Sequence, residues 1–179
     1  MSNHPSIPSE PLVLHYTLRR CKLGEVLVAA TPKGIAAVLL GDSKSALIED
    51  LQHRYPHAQL DTGGAVLHRW SDTVLEILAH PTLEHVVPLD AISGTEFQRK
   101  VWKALRGIPA GQTRTYTEVA HAIGQPQAVR AVAGACAANP LAVLVPCHRV
   151  LRSDGGWGGY RWGIARKQQL LLQEGAIIK

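Results

Sequence analysis

Residues 128–150 read "AVRAVAGACAANPLAVLVPCHRV", and this stretch decides how the second half of the chain is interpreted. Its alanines, valines and glycine over 128–138 predict a helix that ends at an Asn-Pro pair. The apolar run that follows predicts a short buried strand, which Pro146 ends because proline cannot continue a sheet ladder. Cys147 and His148 come next, so a thiol and an imidazole stand side by side at the end of a buried segment.

A cysteine in that position has four explanations: inert packing, a disulfide, metal ligation or nucleophilic chemistry. The chain contains three cysteines, Cys21, Cys136 and Cys147, and none of them forms a C-x-x-C pair. This odd number without that spacing argues against a disulfide framework and against a four-cysteine zinc site, and it predicts a reducing compartment. We therefore expect no metal. A thiol reacts as its thiolate, so a reactive Cys147 needs a base, and His148 is the adjacent candidate.

Charge is distributed unevenly along the chain. Residues 1–92 carry 7 lysines and arginines against 10 aspartates and glutamates, a net charge of −3, whereas residues 93–179 carry 12 against 4, a net charge of +8. We predict an N-terminal domain over 1–92 and a C-terminal domain over 93–179, sizes that a chain of this length supports. A compact basic domain indicates a polyanionic partner such as nucleic acid, the alternative being a merely solvated basic surface.

The N-terminal domain has the pattern of a small α/β unit. The polar, proline-rich start, residues 1–11, predicts a disordered lead-in and not a secretory signal. The runs "LVLHYTL", "GEVLVAAT" and "GIAAVLL" predict an antiparallel meander with a turn at "TPKG". "SALIEDLQHRY" and "AVLHRWSDTVLEILAH" have helical spacing. No apolar run approaches the roughly 20 residues of a membrane span. We expect an architectural role for this half.

The C-terminal domain shows the pattern of a helix-turn-helix. Thr95 and Gln98 have capping-box spacing, which recurs in "TYTE", so each predicts a helix start. The helix over 128–138 comes third and would lie on DNA. Arg130 is almost its only hydrogen-bonding side chain, and small residues with one long basic side chain suit the minor groove, where sequence information is degenerate. The alternative is a small-residue helix packed in the core.

The segment after the Cys-His pair, "VLRSDGGWGGYRWG", is rich in glycine and aromatic residues. We predict a mobile flap over a pocket, in which Tyr160 and Trp162 stack on a flat ligand. A thiol, an imidazole, an aromatic flap and a basic helix together suggest thiol chemistry on a base drawn out of DNA.

The segments "GTEFQRKVW", "RAVAGACAANPLAVLVPCHRV" and "GYRWGIARKQQLLLQEG" resemble the O6-alkylguanine-DNA alkyltransferases, including the methyltransferase half of bacterial adaptive-response proteins. The similarity is strong over about residues 93–175 and weaker in "CKLGEVLVAATPKGIAAVLLGDS". It implies an α+β fold: a small ribonuclease-H-like α/β domain with an antiparallel sheet, then a mainly helical winged helix-turn-helix domain.

The resemblance also implies a mechanism. Cys147 attacks the alkyl carbon of O6-alkylguanine and keeps the alkyl group as a thioether, so each molecule works once and no cofactor is needed. His148 acts through a water as base on the thiol, and Glu174 orients the imidazole, the logic of catalytic triads. Tyr116 assists nucleotide rotation and stabilises the departing guanine, while Asn139 braces the turn between the DNA-binding helix and the active-site strand.

The same resemblance implies how DNA is held. Arg130 fills the gap left by the flipped base in double-stranded DNA. Further DNA contacts are expected from Ala128, Ala131, Gly134, Ala135, Thr95 and Gln98. The base pocket is expected to be lined by Pro146, the Val150 carbonyl, Trp157, Tyr160 and Arg161.

Two departures from the family pattern affect the expected function. There are too few cysteines for a metal-binding regulatory domain, so we expect no phosphotriester-sensing or transcriptional role. Trp157 in the flap either packs outward or narrows the pocket entrance, and with Arg161 and Trp162 it leads us to expect a preference for methyl over benzyl lesions. We expect a bacterial monomer in the cytoplasm, associated with the nucleoid.

Three other functions fit parts of the pattern. A non-catalytic alkyltransferase-like lesion binder would keep the helix-turn-helix but lack the cysteine. A thiol hydrolase would share the Cys-His pair but turn over many times. A helix-turn-helix regulator would carry polar readers on its third helix, which are missing here.

Overall fold

The computed structural model describes residues 10–176, so most of the predicted disordered lead-in lies outside the described residues. The first half forms a four-stranded mixed sheet. Its strands are β1 (Val13–Cys21), β2 (Gly24–Thr31), β3 (Gly34–Gly41) and β4 (Gln59–Thr62), in the order β3-β2-β1-β4. The predicted antiparallel meander of β1, β2 and β3 is confirmed. β4, which pairs in parallel with β1, was not predicted because "QLDT" is short and polar.

Helices α1 (Lys44–Arg54) and α2 (Ala65–Ala79) pack on this sheet. Both follow the predicted spacing, and both end before a proline. α1 buries Leu47 and Leu51, and α2 buries Leu67, Val74 and Leu78.

The second half is mainly helical. Its elements are α3 (Glu96–Arg106), β5 (Arg114–Thr115), α4 (Tyr116–Ala122), α5 (Val129–Ala138), a 3₁₀ turn (Cys147–Arg149), β6 (Val150–Leu151) and α6 (Ile164–Gln173). Both predicted capping boxes form, at Thr95 before α3 and at Thr115 before α4. The fold over the described residues is thus mixed α+β. Over the same range, no helix is long and apolar enough to cross a membrane.

The two halves meet along the β3 edge of the sheet. The amide of Val38 donates to the carbonyl of Pro140 at 2.9 Å, and the amide of Ala142 donates back to the carbonyl of Val38 at 3.0 Å. The segment between α2 and α3 covers the same edge, since the amide of Ile35 donates to the carbonyl of Pro88 at 2.8 Å. The segment just before the Cys-His pair is therefore fixed to the sheet of the first half.

The predicted buried strand over 141–145 is wrong. This run makes a single bridge to β3 at Leu141 and then a tight turn, closed by the amide of Val145 donating to the carbonyl of Leu141 at 3.0 Å. Val143 has a φ of 61°, a left-handed conformation that is rare and strained for a β-branched residue. The run is apolar because it is buried, not because it is extended.

Candidate active site

The Cys147 thiol lies at the start of the 3₁₀ turn, with the residue only 4% exposed. The turn before it is held by Asn139, which is fully buried at the end of α5. The Asn139 Nδ2 donates to the Val145 carbonyl at 2.9 Å and to the Leu141 carbonyl at 3.3 Å, while its Oδ1 accepts from the Leu141 amide at 2.9 Å. Nδ2 also lies 3.3 Å from the Cys147 Sγ. One amide side chain thus supports the strained turn and contacts the thiol.

The Cys147 thiol is protonated at neutral pH. Burial raises its pKa to about 11, against the opposing effects of the Asn139 hydrogen bond and the positive charge of Lys167. Since the thiolate is the nucleophile, chemistry at this sulfur needs a base that takes the proton.

His148 is the candidate base. Its Nε2 lies 2.7 Å from Oε1 of Glu174, and both side chains are 1% exposed. A carboxylate accepts hydrogen bonds, so the tautomer that fits carries its proton on Nε2 and keeps a lone pair on Nδ1. Nδ1 is buried and has no hydrogen-bond partner among the described residues. Burial lowers the pKa of His148 against the opposing effect of Glu174, which favours the neutral ring that a base requires.

Arg149 holds the carboxylate in place. Its Nε and Nη2 donate to Glu174 at 3.0 and 2.8 Å, and its Nη1 donates to the Ile108 carbonyl at 2.6 Å. Burial opposes ionisation of Glu174, yet the hydrogen bonds from His148 and Arg149 hold its pKa at about 2. Glu174 is therefore a carboxylate at all physiological pH values, and it contacts both the His148 imidazole and the Arg149 guanidinium.

A cavity of about 350 Å³ reaches the thiol. It is lined by Tyr116, Ala133, Cys136, Ala137, Cys147, Gly159, Tyr160 and Arg161. A second cavity of about 500 Å³ adjoins it and shares Tyr116, Ala133 and Gly159, and its walls include Arg130 and Arg152. Together they form one cleft between α5 and the flap, of a size typical for small-ligand sites. A flat heterocycle can enter between the exposed arginines and the buried thiol.

Tyr116 stands where the two cavities meet. Its side chain is 9% exposed, and burial raises the pKa of its hydroxyl to about 12, so the phenol stays protonated and can donate. Gly158 packs directly on it: a Cβ at this position would lie 2.6 Å from the Tyr116 hydroxyl oxygen. Gly158 also has a φ of +70°, which an L side chain rarely adopts.

Comparisons with known proteins agree with this geometry. The profile described as "6-O-methylguanine DNA methyltransferase, DNA binding domain" matches residues 96–176. The inducible methylated-DNA–protein-cysteine methyltransferase of Bacillus subtilis is 36% identical over 162 residues, which are 88% of this chain and 88% of that protein. The chain belongs to the methylated-DNA–protein-cysteine methyltransferase family.

Two further relatives of this methyltransferase family are informative. The bifunctional transcriptional activator/DNA repair enzyme Ada of Escherichia coli is 48% identical over 165 residues, which are 92% of this chain but 46% of that protein. The chain thus spans about half the length of the first curated relatives it matches. The solved structure of Mycobacterium tuberculosis OGT in complex with DNA superimposes with a TM-score of 0.75 at 37% identity, covering 90% of this chain and 92% of that one.

The exposed face of α5, within the family's DNA-binding domain, carries most of the predicted DNA contacts. Arg130, Ala131 and Gly134 are exposed, and Ala128 at the helix start is half-buried. Ala135 is an exception: its side chain faces the core, 1% exposed, and its carbonyl accepts the indole proton of Trp102 at 2.8 Å. The prediction that the Ala135 side chain contacts DNA is therefore wrong, because helical periodicity turns it towards α3.

The other predicted DNA contacts lie at the start of α3. Thr95 is exposed and Gln98 is half-buried. Their side chains bond to each other's backbone in the capping box, at 2.9 and 3.1 Å. The Oγ1 of Thr95 and the Oε1 of Gln98 therefore already accept hydrogen bonds within the protein.

The predicted pocket residues divide into two groups. Tyr160 and Arg161 line the cavity, and the Tyr160 ring makes an edge contact with His148, with centroids 6.4 Å apart. Pro146 and Val150 are buried and Trp157 is half-buried, and none of these three lines the cleft. Trp162, expected to stack on the ligand, is instead 5% exposed in the core, with its ring 5.3 Å from that of Tyr160. The prediction that Trp162 stacks on the ligand is therefore wrong.

The sequence pattern missed Arg149 and Lys167. Lys167 is fully buried in α6, and its Nζ donates to the carbonyls of Val150 and Trp157 at 2.6 Å each and of Gly159 at 3.1 Å. Burial lowers its pKa to about 8. This ammonium therefore ties the start of the flap, at Val150, to its later part, at Trp157 and Gly159. Over the described residues, no group of three His, Cys, Asp or Glu side chains is placed to hold a metal ion.

Proposed function

We propose that this chain is a DNA repair protein that removes the alkyl group from O6-alkylguanine, mainly O6-methylguanine, in double-stranded DNA. The acceptor is its own Cys147, so the transfer is irreversible and stoichiometric. The observation that carries the proposal is the buried thiol that lines the cleft, whose neighbour in the chain, His148, is paired with Glu174 at 2.7 Å. Membership of the methyltransferase family supports the same chemistry.

The reaction uses the site residues in sequence. The Cys147 Sγ attacks the alkyl carbon, the bond from that carbon to O6 breaks, and a thioether forms. The thiol proton passes through a water to Nδ1 of His148, which has no other partner among the described residues, while the Glu174 carboxylate stabilises the resulting imidazolium. The protonated hydroxyl of Tyr116 donates to the departing guanine and offsets its developing negative charge. No step calls for a cofactor.

DNA is bound through the minor groove by α5, in a winged helix-turn-helix arrangement beside a ribonuclease-H-like first half. The exposed small residues of α5 let the helix approach the groove closely, and Arg130 fills the space of the extruded nucleotide. Thr95, Gln98, Ala128, Ala131 and Gly134 contribute sequence-independent contacts. We propose that the protein acts as a monomer in a bacterial cytoplasm, at the nucleoid.

A non-catalytic lesion binder is the second candidate from the sequence, and the buried thiol in the cleft argues against it. A thiol hydrolase, the third candidate, would act on many substrate molecules in succession, whereas the proposed alkyltransferase acts once. One experiment separates all three functions. The purified protein is mixed with duplex DNA containing O6-methylguanine, and the gain of methyl mass per peptide is measured.

The proposal expects one methyl group per molecule, on the peptide that contains Cys147. Methyl loss from DNA beyond one equivalent indicates a hydrolase, and no transfer indicates a lesion binder. Cys147→Ser should abolish transfer and keep DNA binding, whereas Arg130→Ala should slow repair while the thiol stays intact. Methyl on another residue would contradict the assignment of Cys147.

A further inference from the structure

The wall of the alkyl cavity is held from the other half of the chain. Arg161 lines the cavity that reaches Cys147. Its Nη2 lies 3.0 Å from Oδ1 of Asp50 in α1, and its Nη1 makes a longer contact, 3.4 Å, to the carbonyl of Ala137 in α5. Asp50 and Arg161 are 111 residues apart in sequence. A carboxylate of the first half therefore fixes a side chain that bounds the cavity.

A second arginine shares this carboxylate. The Nε of Arg54 lies 3.5 Å from the same Oδ1 of Asp50. The Arg54 side chain is 12% exposed and that of Arg161 is 36% exposed. Burial lowers the pKa of Arg54, and the nearby charge of Arg161 lowers it further. Two guanidinium groups thus depend on one carboxylate, and of the two only Arg161 has room to move.

We propose that Asp50 is a positioning residue that sets the width of the cavity mouth, and so the size of the alkyl group that can be transferred. This inference rests on the proposed alkyl transfer to Cys147. Without the carboxylate, Arg54 and Arg161 repel each other. Arg161 then keeps only neutral acceptors, of which the Ala137 carbonyl is one. Since Ala137 forms another wall of the same cavity, the guanidinium shifts across the mouth and narrows it.

The chain offers a matched control. Arg166 pairs with Asp42 at 2.6 Å, a second arginine–carboxylate contact between the two halves. Arg166 also donates to the carbonyls of Leu23 and Trp162 at 2.8 and 2.9 Å, so it stays in place without Asp42. Neither Asp42 nor Arg166 lines the cleft. Asp42→Asn therefore removes the same kind of charge pair without touching the cavity.

The test measures single-turnover transfer from duplex DNA containing O6-methyl-, O6-ethyl- or O6-benzylguanine. For Asp50→Asn we expect the ethyl-to-methyl and benzyl-to-methyl rate ratios to fall, the latter about tenfold, which is the scale of discrimination by pocket size. Asp42→Asn should leave both ratios at the wild-type value. Asp50→Glu, which restores a carboxylate, should recover at least part of the loss.

A double-mutant cycle excludes a general loosening of the fold. In an Arg161→Ala background, Asp50→Asn should no longer change either ratio, because the side chain that it positions is absent. The inference would be overturned if wild type and Asp50→Asn had equal benzyl-to-methyl and ethyl-to-methyl rate ratios. It would also be overturned if Asp50→Asn lowered these ratios equally in the presence and absence of the Arg161 side chain. If the wild type itself accepts no methyl group, the proposed function fails instead, so the two failures are distinguishable.

Discussion

Oε1 of Glu174 lies 2.7 Å from Nε2 of His148, and the same carboxylate receives three hydrogen bonds from Nε and Nη2 of Arg149. The contact joins the end of α6 to the 3₁₀ turn that carries Cys147. The Glu174 carboxylate therefore has two roles: it orients the imidazole that acts as base, and it links α6 to the 3₁₀ turn.

The first role is catalytic. Glu174→Gln keeps the shape but removes the charge that stabilises the imidazolium, so we expect transfer of methyl to Cys147 to slow by roughly 100-fold, the scale of general-base catalysis. Because Glu174 raises the pKa of His148, its loss should also move the acidic limb of the rate profile to lower pH. Single-turnover rates at several pH values measure both effects. Affinity for methylated duplex DNA is the control and should stay constant. A rate within threefold of wild type would contradict the assigned role.

The second role concerns stability in acid. The pKa of Glu174 is lowered from 4.5 to about 2 in the folded protein, so the stabilisation is complete above pH 4.5 and is lost as the pH falls towards 2. By linkage, a shift of this size corresponds to roughly 3 kcal/mol in the free energy of unfolding. Urea denaturation between pH 7 and pH 3 measures it for wild type and Glu174→Gln. The stability gap between the two should shrink with falling pH, and parallel curves would refute the prediction.

The sequence predicted those parts of the molecule that local chemistry determines. The capping boxes at Thr95 and Thr115 formed as expected, since each depends on side chains three residues apart. The apolar run 141–145 was misassigned as a strand because the buried amide of Asn139 binds its carbonyls and forces a turn. Composition alone does not distinguish a buried turn from a buried strand.

Long-range partners of charged residues could not be predicted from spacing. Lys167 lies among the polar residues of an amphipathic helix and would ordinarily be assigned to its solvent-exposed face, yet it is fully buried. The role of Asp50 on α1 could not be predicted from the sequence either, since its partner Arg161 belongs to the other half of the chain. Glu174 was predicted as the partner of His148 from the family resemblance, because no local sequence pattern indicates it. Each of these residues depends on contacts that only the tertiary fold creates.

Lys167 is predicted to hold the flap. Lys167→Met removes the donor shared by the carbonyls of Val150, Trp157 and Gly159, so we expect a loss of about 3 kcal/mol in the free energy of unfolding, because buried acceptors are left unsatisfied. Chemical denaturation measures this loss. Hydrogen exchange should quicken in the flap, residues 150–163. Lys100→Met, at an exposed position of α3, serves as the control and should change stability by less than about 0.5 kcal/mol. Equal stability of the two variants would contradict the assigned role.

Gly158 is predicted to be required for the position of the Tyr116 hydroxyl. In Gly158→Ala the added Cβ would lie 2.6 Å from that oxygen, so either the phenol or the flap must move. We expect methyl transfer to slow by about tenfold or more, since small misplacements of reacting groups are costly. Gly155→Ala is the matched control: Gly155 has a φ of +88° in the same loop, but a Cβ there meets nothing within 4 Å. Both variants carry backbone strain, so their stabilities should fall alike while only Gly158→Ala loses transfer rate. Equal transfer rates in the two variants would show that the contact with Tyr116 has no part in the reaction.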